Sequence, residues 1–187
     1  MRFLNISLLF ISLVLIVGDA TAGESRVEPL RTIKSCTMAD GTPVALKAES
    51  HGEDGVALYV DEGGKTQPAF TDMPNTDLFG NVALAQCVHG ALIFALDYGP
   101  PYRKGAVIRR NLQSHAEERI DFAEKALPRW LYLSDHEMLV VVPNLGGETD
   151  KKYIVYQFIA GKGQLEESMA TDKLPVPGHE LLPVRPR

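Results

Sequence analysis

The sequence contains very few cysteines: two in 187 residues, Cys36 and Cys87. This number excludes a scaffold built on several disulfides, and no C-x-x-C pair is present that would begin a zinc site or a redox motif. In an oxidising compartment the two cysteines are expected to form one disulfide. Closing a loop of about 50 residues would stabilise the fold by roughly 4 kcal/mol. The alternative interpretation is a reactive thiol or a metal-binding pair.

The sequence also lacks the short motifs that mark common catalytic sites. It contains neither the G-x-S-x-G turn that presents a serine nucleophile nor the H-E-x-x-H helix of zinc proteases. The glycines on either side of Lys162 do not have P-loop spacing, and residues 61–66 (DEGGKT) lack the alternating ligands of a calcium loop. We therefore predict no metal site and no cofactor, and the sequence does not indicate an enzyme.

The histidines are scattered, one to a segment, at His51, His89, His115, His136 and His179. Ser134, Asp135 and His136 supply the side-chain types of a hydrolase triad, but neighbours on a strand point to opposite faces. Asp121 and Glu124 supply two carboxylates for glycoside chemistry, although two nearby surface acids more commonly form a solvated face. An enzymatic site would therefore require the fold to bring histidines and carboxylates together from distant segments.

Apart from its N-terminus, the sequence has no long apolar run. Arg2 precedes an apolar run of 12 residues over 6–17, and residues 20–22 (ATA) match the small-x-small pattern that signal peptidase recognises. A bilayer-spanning helix needs roughly 20 residues. We predict that residues 1–22 are a cleaved secretion signal, with an uncleaved anchor as the alternative. The mature protein is then expected to be soluble in the periplasm or secreted, with no stable membrane insertion.

The remaining chain has the length of a single domain. Residues 23–30 are expected to be a flexible lead-in, and residues 31–170 a β-rich globular domain. Residues 171–187 (TDKLPVPGHELLPVRPR) contain four prolines, which cannot donate to a sheet ladder and disfavour a helix. We expect an extended C-terminal tail there, laid over the core through Leu181 and Leu182.

Between these ends, short apolar segments alternate with strong turn signals, which predicts a mainly β fold. Such spacing is typical of an antiparallel meander closed into a sandwich, a barrel or a propeller-like arrangement, with at most one short helix. A tight reversal is predicted at residues 134–137, and a second reversal with a longer loop is predicted within residues 140–158. The helix candidate is 116–127, but a strand through Arg119–Phe122 is favoured there. The predicted strands are Val44–Ala48, Val56–Val60, Val82–Val88, Ala91–Leu96, Ala106–Arg110, Arg119–Phe122, Trp130–Leu133, Met138–Val142 and Tyr153–Ile159.

Residues 97–111 (DYGPPYRKGAVIRRN) concentrate tyrosines, prolines and cations in a chain of net charge −5. A rigid turn between two strands explains the prolines, but tyrosine and arginine also dominate the hot spots of protein interfaces. A second such segment surrounds the single tryptophan, which could instead be a core residue. The predicted partner-binding residues are Tyr98, Tyr102, Arg103, Lys104, Arg109, Arg110, Arg129 and Trp130.

An exported, disulfide-linked β domain without a catalytic motif is most simply a binding protein. We expect an inhibitor or immunity-type protein that blocks a cell-wall-degrading enzyme or a toxin, since its acidic charge suits a cationic protein partner. Nucleic acid is not expected, because the chain is acidic and exported. The alternatives are a small periplasmic hydrolase of envelope polysaccharide or peptide, and an accessory subunit of an envelope or surface assembly.

Overall fold

The computed structural model describes residues 29–72, 79–99, 101–146, 149–175 and 180–184. The predicted signal peptide and most of the predicted lead-in lie outside these residues. Within them the chain forms fourteen β-strands and one turn of 3-10 helix, Gly52–Asp54. No helix in this part of the chain is long and apolar enough to cross a membrane.

The strands form three antiparallel sheets that follow one another along the sequence. Sheet A has the order β1 (Arg31–Thr37), β2 (Pro43–Ser50), β3 (Val56–Glu62) and β4 (Lys65–Pro68). Sheet B has the order β5 (Asn81–Val88), β6 (Ala91–Asp97), β7 (Arg103–Arg110) and β8 (Glu117–Glu124).

Sheet C contains the remaining strands, and it also takes in part of the C-terminal segment. Its strands are β9 (Trp130–Leu133), β10 (Glu137–Pro143), β11 (Tyr153–Ile159), β12 (Gly163–Gln164), β13 (Met169–Thr171) and β14 (Glu180–Pro183). Their order is β12, β11, β10, β9 and β14, with β13 also paired to β11.

Sheet B lies between the other two sheets and is buried on both faces. Along β6, Leu92, Phe94 and Leu96 pack with the apolar side chains of sheet A. The alternate residues, Ala91 and Ile93 among them, pack with those of sheet C. A strand buried on both faces must be apolar at successive positions, which is the pattern of the β6 sequence ALIFALD. Sheet B therefore contributes to two hydrophobic cores at once.

Two connections join sheet A to sheet B. A disulfide links Cys36 on β1 to Cys87 on β5, with the Cα atoms 5.7 Å apart. Near the opposite ends of these strands, Val56 pairs with Gly80 as an isolated antiparallel bridge. A Cβ atom at Gly80 would lie 2.1 Å from the carbonyl oxygen of Asp97, so only glycine fits this crossing.

The mainly β fold and the Cys36–Cys87 pairing predicted from the sequence are confirmed, and each of the nine predicted segments lies within a strand. Residues 117–124 form strand β8, in which Glu118, Ile120 and Phe122 are buried while their neighbours are more exposed. The favoured strand is thus correct, and the helix candidate is not formed. The hairpin between β9 and β10 closes at 134–137, where the Ser134 amide donates to the Glu137 carbonyl at 2.9 Å.

The sequence did not predict the strands that contain few apolar residues. β1 and β4 are largely polar, and β12 and β13 are two and three residues long. The C-terminal segment was expected to be an extended tail, and its residues Glu180–Pro183 pair with β9 as strand β14. Val184 follows it and is buried among the side chains between sheets B and C. The expected side-chain contacts of Leu181 and Leu182 lie outside what the structure describes.

The disulfide is expected to stabilise the protein measurably. Its cysteines are 51 residues apart, and removing this covalent link restores the entropy of a long open loop to the unfolded chain. We expect the double variant Cys36→Ser, Cys87→Ser to lose about 2–4 kcal/mol of unfolding free energy in urea denaturation. Wild-type protein measured under reducing conditions serves as the control and should lose a similar amount. An unchanged denaturation midpoint would contradict the prediction.

Candidate binding surface

Tyr98, Gly99, Pro101 and Tyr102 lie in the turn between strands β6 and β7. Asp97 pairs with Arg103 in the last position of the ladder, and the Tyr102 amide donates to the Gly99 carbonyl at 3.2 Å. Tyr98 is half-buried and packs against the core between sheets A and B. The structural interpretation of this segment as a turn is therefore correct, and Tyr102 is its large exposed side chain.

Tyr102 belongs to a group of residues contributed by three loops. The Nζ atom of Lys125 lies over the Tyr102 ring, 5.8 Å from its centroid. Arg103 donates from Nη1 to the Lys125 carbonyl at 2.5 Å, and its Nε lies 3.7 Å from an Asp97 carboxylate oxygen. Lys125 in turn donates to the Gly146 carbonyl at 3.1 Å. We call this group of Tyr102, Arg103, Lys125 and Gly146 the loop-end surface.

Two of the predicted binding residues are buried rather than exposed. Lys104 forms a short ion pair with Asp72, and its Nζ lies 5.7 Å from the centre of the Phe70 ring. Arg109 donates from Nε to Glu118 at 2.5 Å, and only 8% of Arg109 and 2% of Glu118 are exposed. The Arg109 charge is therefore neutralised inside the fold, whereas the buried Lys104 side chain pairs with the carboxylate of an exposed Asp72.

Arg109 and Arg110 are consecutive on β7, so their side chains point to opposite faces of sheet B. Arg109 faces sheet C, where its guanidinium also donates to the Glu137 carbonyl at 3.3 Å. Arg110 faces sheet A and forms a short ion pair with Glu62, while its Nη1 donates to the His115 carbonyl at 2.8 Å. The two arginines thus connect the central sheet to the sheet on each side.

A buried polar network continues from Arg109 towards sheet C. The Asn111 side chain donates to Glu118 at 2.9 Å and to the Asp135 carbonyl at 3.0 Å. Its Oδ1 accepts hydrogen bonds from the amides of Gln113 and Ser114, at 2.9 and 3.1 Å. The network therefore holds the loop between β7 and β8 against the turn between β9 and β10.

The tryptophan segment lies on β9, between β10 and the edge strand β14 of sheet C. Arg129 is exposed, and its amide and carbonyl are both used in backbone hydrogen bonds to Val141 and Val184. Trp130 is partly buried and meets Tyr153 edge-to-face at 5.4 Å between ring centroids. It shares a face with Tyr132, as the alternation of a strand requires. Both side chains pack with Leu139, Val141 and Val155 of sheet C.

Four of the five histidines, His51, His89, His115 and His136, are among the residues that the structure describes, and His179 lies outside them. His51 stacks on Phe79 at 4.0 Å, whereas His89 and His115 occupy turns with positive φ angles of 43° and 55°. The Nδ1 atom of His115 lies 3.6 Å from a carboxylate oxygen of Asp40. The Thr42 amide donates to that carboxylate and lowers the pKa of Asp40. No group of three or more potential metal ligands is found in the described part of the chain.

A polar pocket of about 430 Å³ separates β3 of sheet A from the end of β7 and the start of β8. Glu62, Arg110 and Glu117 line it, and Arg110 and Glu117 are paired in the strand register. Burial, together with the neighbouring Glu62 carboxylate, raises the pKa of Glu117 above the usual 4.5. The sequence does not indicate that Glu117 lies beside Arg110 or that Lys125 lies beside Tyr102, because only the folded structure brings these residues together.

Comparison with protein-family models, with curated proteins and with solved structures finds no match for this chain.

The eight predicted binding residues do not form one surface. Tyr102 and Arg103 belong to the loop-end surface, Lys104 and Arg109 are buried, and Arg110 lies at the junction with sheet A.

The Arg109–Glu118 pair is expected to be essential for stability. Glu118→Ala would leave the Arg109 charge buried without its carboxylate, which typically costs about 3–5 kcal/mol of unfolding free energy. The matched control is Asp172→Ala, which breaks the exposed Lys151–Asp172 pair and should cost about 1 kcal/mol or less. Equal losses for the two variants in urea denaturation would contradict the prediction.

The raised pKa of Glu117 predicts a pH-dependent effect of replacing it. The folded state favours the protonated acid, so this contribution to stability is complete below the usual pKa of 4.5 and is lost as pH rises through the folded pKa. Glu117→Gln should therefore be more stable than wild type near neutral pH, with the difference closing below about pH 4.5. Urea denaturation at several pH values tests this, with exposed Glu166→Gln as the control. A variant less stable than wild type at neutral pH would refute it.

Proposed function

We propose that this protein is an exported, non-catalytic binding protein that uses the loop-end surface to block a cell-wall-degrading enzyme or a toxin. The observation that carries the proposal is the fixed position of the exposed Tyr102 side chain, with the Lys125 ammonium group 5.8 Å from its ring centre. Tyrosine offers a large contact area with only two side-chain torsions to order on binding.

The rigidity of this surface supports recognition. Arg103 fixes the position of Lys125 through a 2.5 Å hydrogen bond to its carbonyl, and Lys125 reaches the Gly146 carbonyl of a third loop. A surface that is already ordered loses little conformational entropy when a partner binds. The strands that hold these loops are anchored in two hydrophobic cores, so the loops are presented by a stiff scaffold.

The overall charge supports the class of partner. The chain carries a net charge of −5, which would attract a cationic hydrolase or toxin over distances longer than direct contact. The disulfide supports a place outside the cytosol, because such bonds persist in oxidising compartments. The N-terminal apolar run supports export to the periplasm or beyond the cell.

The test is to produce the full chain in an exporting host, immobilise it and expose it to envelope and secreted proteins. We expect a stoichiometric complex with a hydrolase or toxin whose activity falls in proportion to complex formation. Tyr102→Ala combined with Lys125→Ala should weaken that complex at least about tenfold in a binding titration, since hot-spot truncations commonly cost more than 1 kcal/mol.

The matched control is Leu112→Ala. Leu112 is 59% exposed in the loop between β7 and β8, at the opposite end of the sheets, and its truncation should leave the affinity unchanged. A captured protein that keeps its full activity would overturn inhibition as the function. Equal affinity of the wild type and the Tyr102, Lys125 double variant would overturn the loop-end surface as the contact.

A further inference from the structure

A groove of about 440 Å³ runs between β1, at the edge of sheet A, and β5, at the edge of sheet B. One wall is the start of β1, from Arg31 to Lys34, and the other is β5, from Asn81 to Gln86. Both strands run in the same direction, because the residues that face each other across the groove precede Cys36 on β1 and Cys87 on β5, and the disulfide joins these two cysteines.

The two connections between the sheets close this groove at its ends. The Cys36–Cys87 disulfide lies beyond one end, and the Val56–Gly80 bridge forms the other, with both bridge residues in the groove lining. The groove at the junction of sheets A and B is therefore bounded by a covalent bond at one end and by a backbone bridge at the other. Its length corresponds to a few residues of extended chain, at about 3.3 Å per residue.

Both walls are edge strands with an outer side that takes part in no strand pairing among the described residues. Strand β1 pairs with β2 alone, and β5 pairs with β6 alone. The outer edge of such a strand presents amide and carbonyl groups that can pair with another extended chain. Two edges facing one groove offer such a chain a template on either side.

The chemistry of the lining differs from that of the protein as a whole. Ile33, Val82 and Ala85 are partly buried against the core and supply an apolar floor. Arg31 and Lys34 stand on the β1 wall, and neither takes part in an ion pair with any residue that the structure describes. No aspartate or glutamate is among the described residues that line the groove, although the chain carries 24 of them. The site is thus cationic in an acidic protein.

Both walls also contain a β-bulge at the groove. The ladder register shifts at Ile33 on β1 and at Ala83 on β5. Bulges and lysine can simply protect an edge strand from aggregation, but they also occur beside binding sites, where they redirect side chains. Protection alone requires no apolar floor and no clustering of cations on one wall, and both are present here.

We propose that this groove binds an extended acidic peptide segment of a partner protein by β-strand addition. The peptide backbone pairs with the edge of β5 or β1, its alternate apolar side chains contact Ile33, Val82 and Ala85, and its carboxylates pair with Arg31 and Lys34. This is a second surface with its own ligand, and it does not depend on the inhibitor function proposed above.

The probe is a fluorescein-labelled peptide in which valine and glutamate alternate, titrated with the full protein in a fluorescence anisotropy assay. We expect saturable binding that weakens as salt concentration rises, because the carboxylates bind cations near the surface. The combined variant Arg31→Glu, Lys34→Glu should weaken it about tenfold or more, since like charges would then face each other.

Two matched controls separate this mode from general charge attraction. Lys65→Glu combined with Lys152→Glu makes the same change in net charge at exposed sites outside the groove lining and should leave the affinity within about twofold. A peptide of the same sequence with alternate backbone amides methylated should lose binding, because it cannot complete the strand ladder.

Thermal unfolding of each variant shows whether it is folded, and both groove positions are at or near the surface. The proposal is overturned if the acidic peptide shows no saturable binding to the folded wild type. It is also overturned if the methylated peptide, or a peptide with lysine in place of glutamate, binds equally well. Unchanged peptide binding by the Tyr102→Ala variant is expected and keeps this test independent of the loop-end surface.

Discussion

The burial of sheet B on both faces is the constraint on which the rest of the structure depends. Its β6 strand carries apolar side chains at successive positions, so both faces of the sheet are apolar and each face must be covered by another sheet. Sheets A and C supply these covers, so the three sheets form one stack rather than a single closed barrel. Exposing either face would return several large side chains to water, at about 25 cal/mol for each Å² of apolar surface.

The charged ends of the central strands follow from this arrangement. Arg109 and Arg110 lie where β7 leaves the core, and each points towards a different neighbouring sheet. Glu118 and Glu62 meet them there, so charges that are adjacent in sequence stabilise two separate junctions. The two consecutive arginines therefore stabilise the fold from within, because a buried charge is tolerated only when a partner of opposite charge neutralises it. What is left for recognition is the set of loops and edges that the stack does not cover.

Two such regions are suited to contact with other molecules, and they differ in chemistry. The loop-end surface around Tyr102 is a small patch held in place by contacts between three loops, and it is the contact surface proposed above. The groove between β1 and β5 is concave, has strand edges that pair with no other described strand, and carries Arg31 and Lys34 on one wall. Both depend on the same scaffold, since the Cys36–Cys87 disulfide fixes the junction that forms the groove.

The sequence by itself determined the mainly β fold, the nine apolar strands and the pairing of its two cysteines. The strands follow from apolar alternation and turn residues, which are local features of the chain, and two cysteines allow only one intramolecular disulfide. It also located the turn at Tyr102, whose prolines and glycine mark a reversal. It did not reveal the short polar strands, in which apolar patterning is absent, or Lys125 and Glu117 as neighbours of the predicted residues. Only the tertiary structure decided which cations are buried and which are exposed, because ion pairing between strands distant in sequence depends on how the sheets stack.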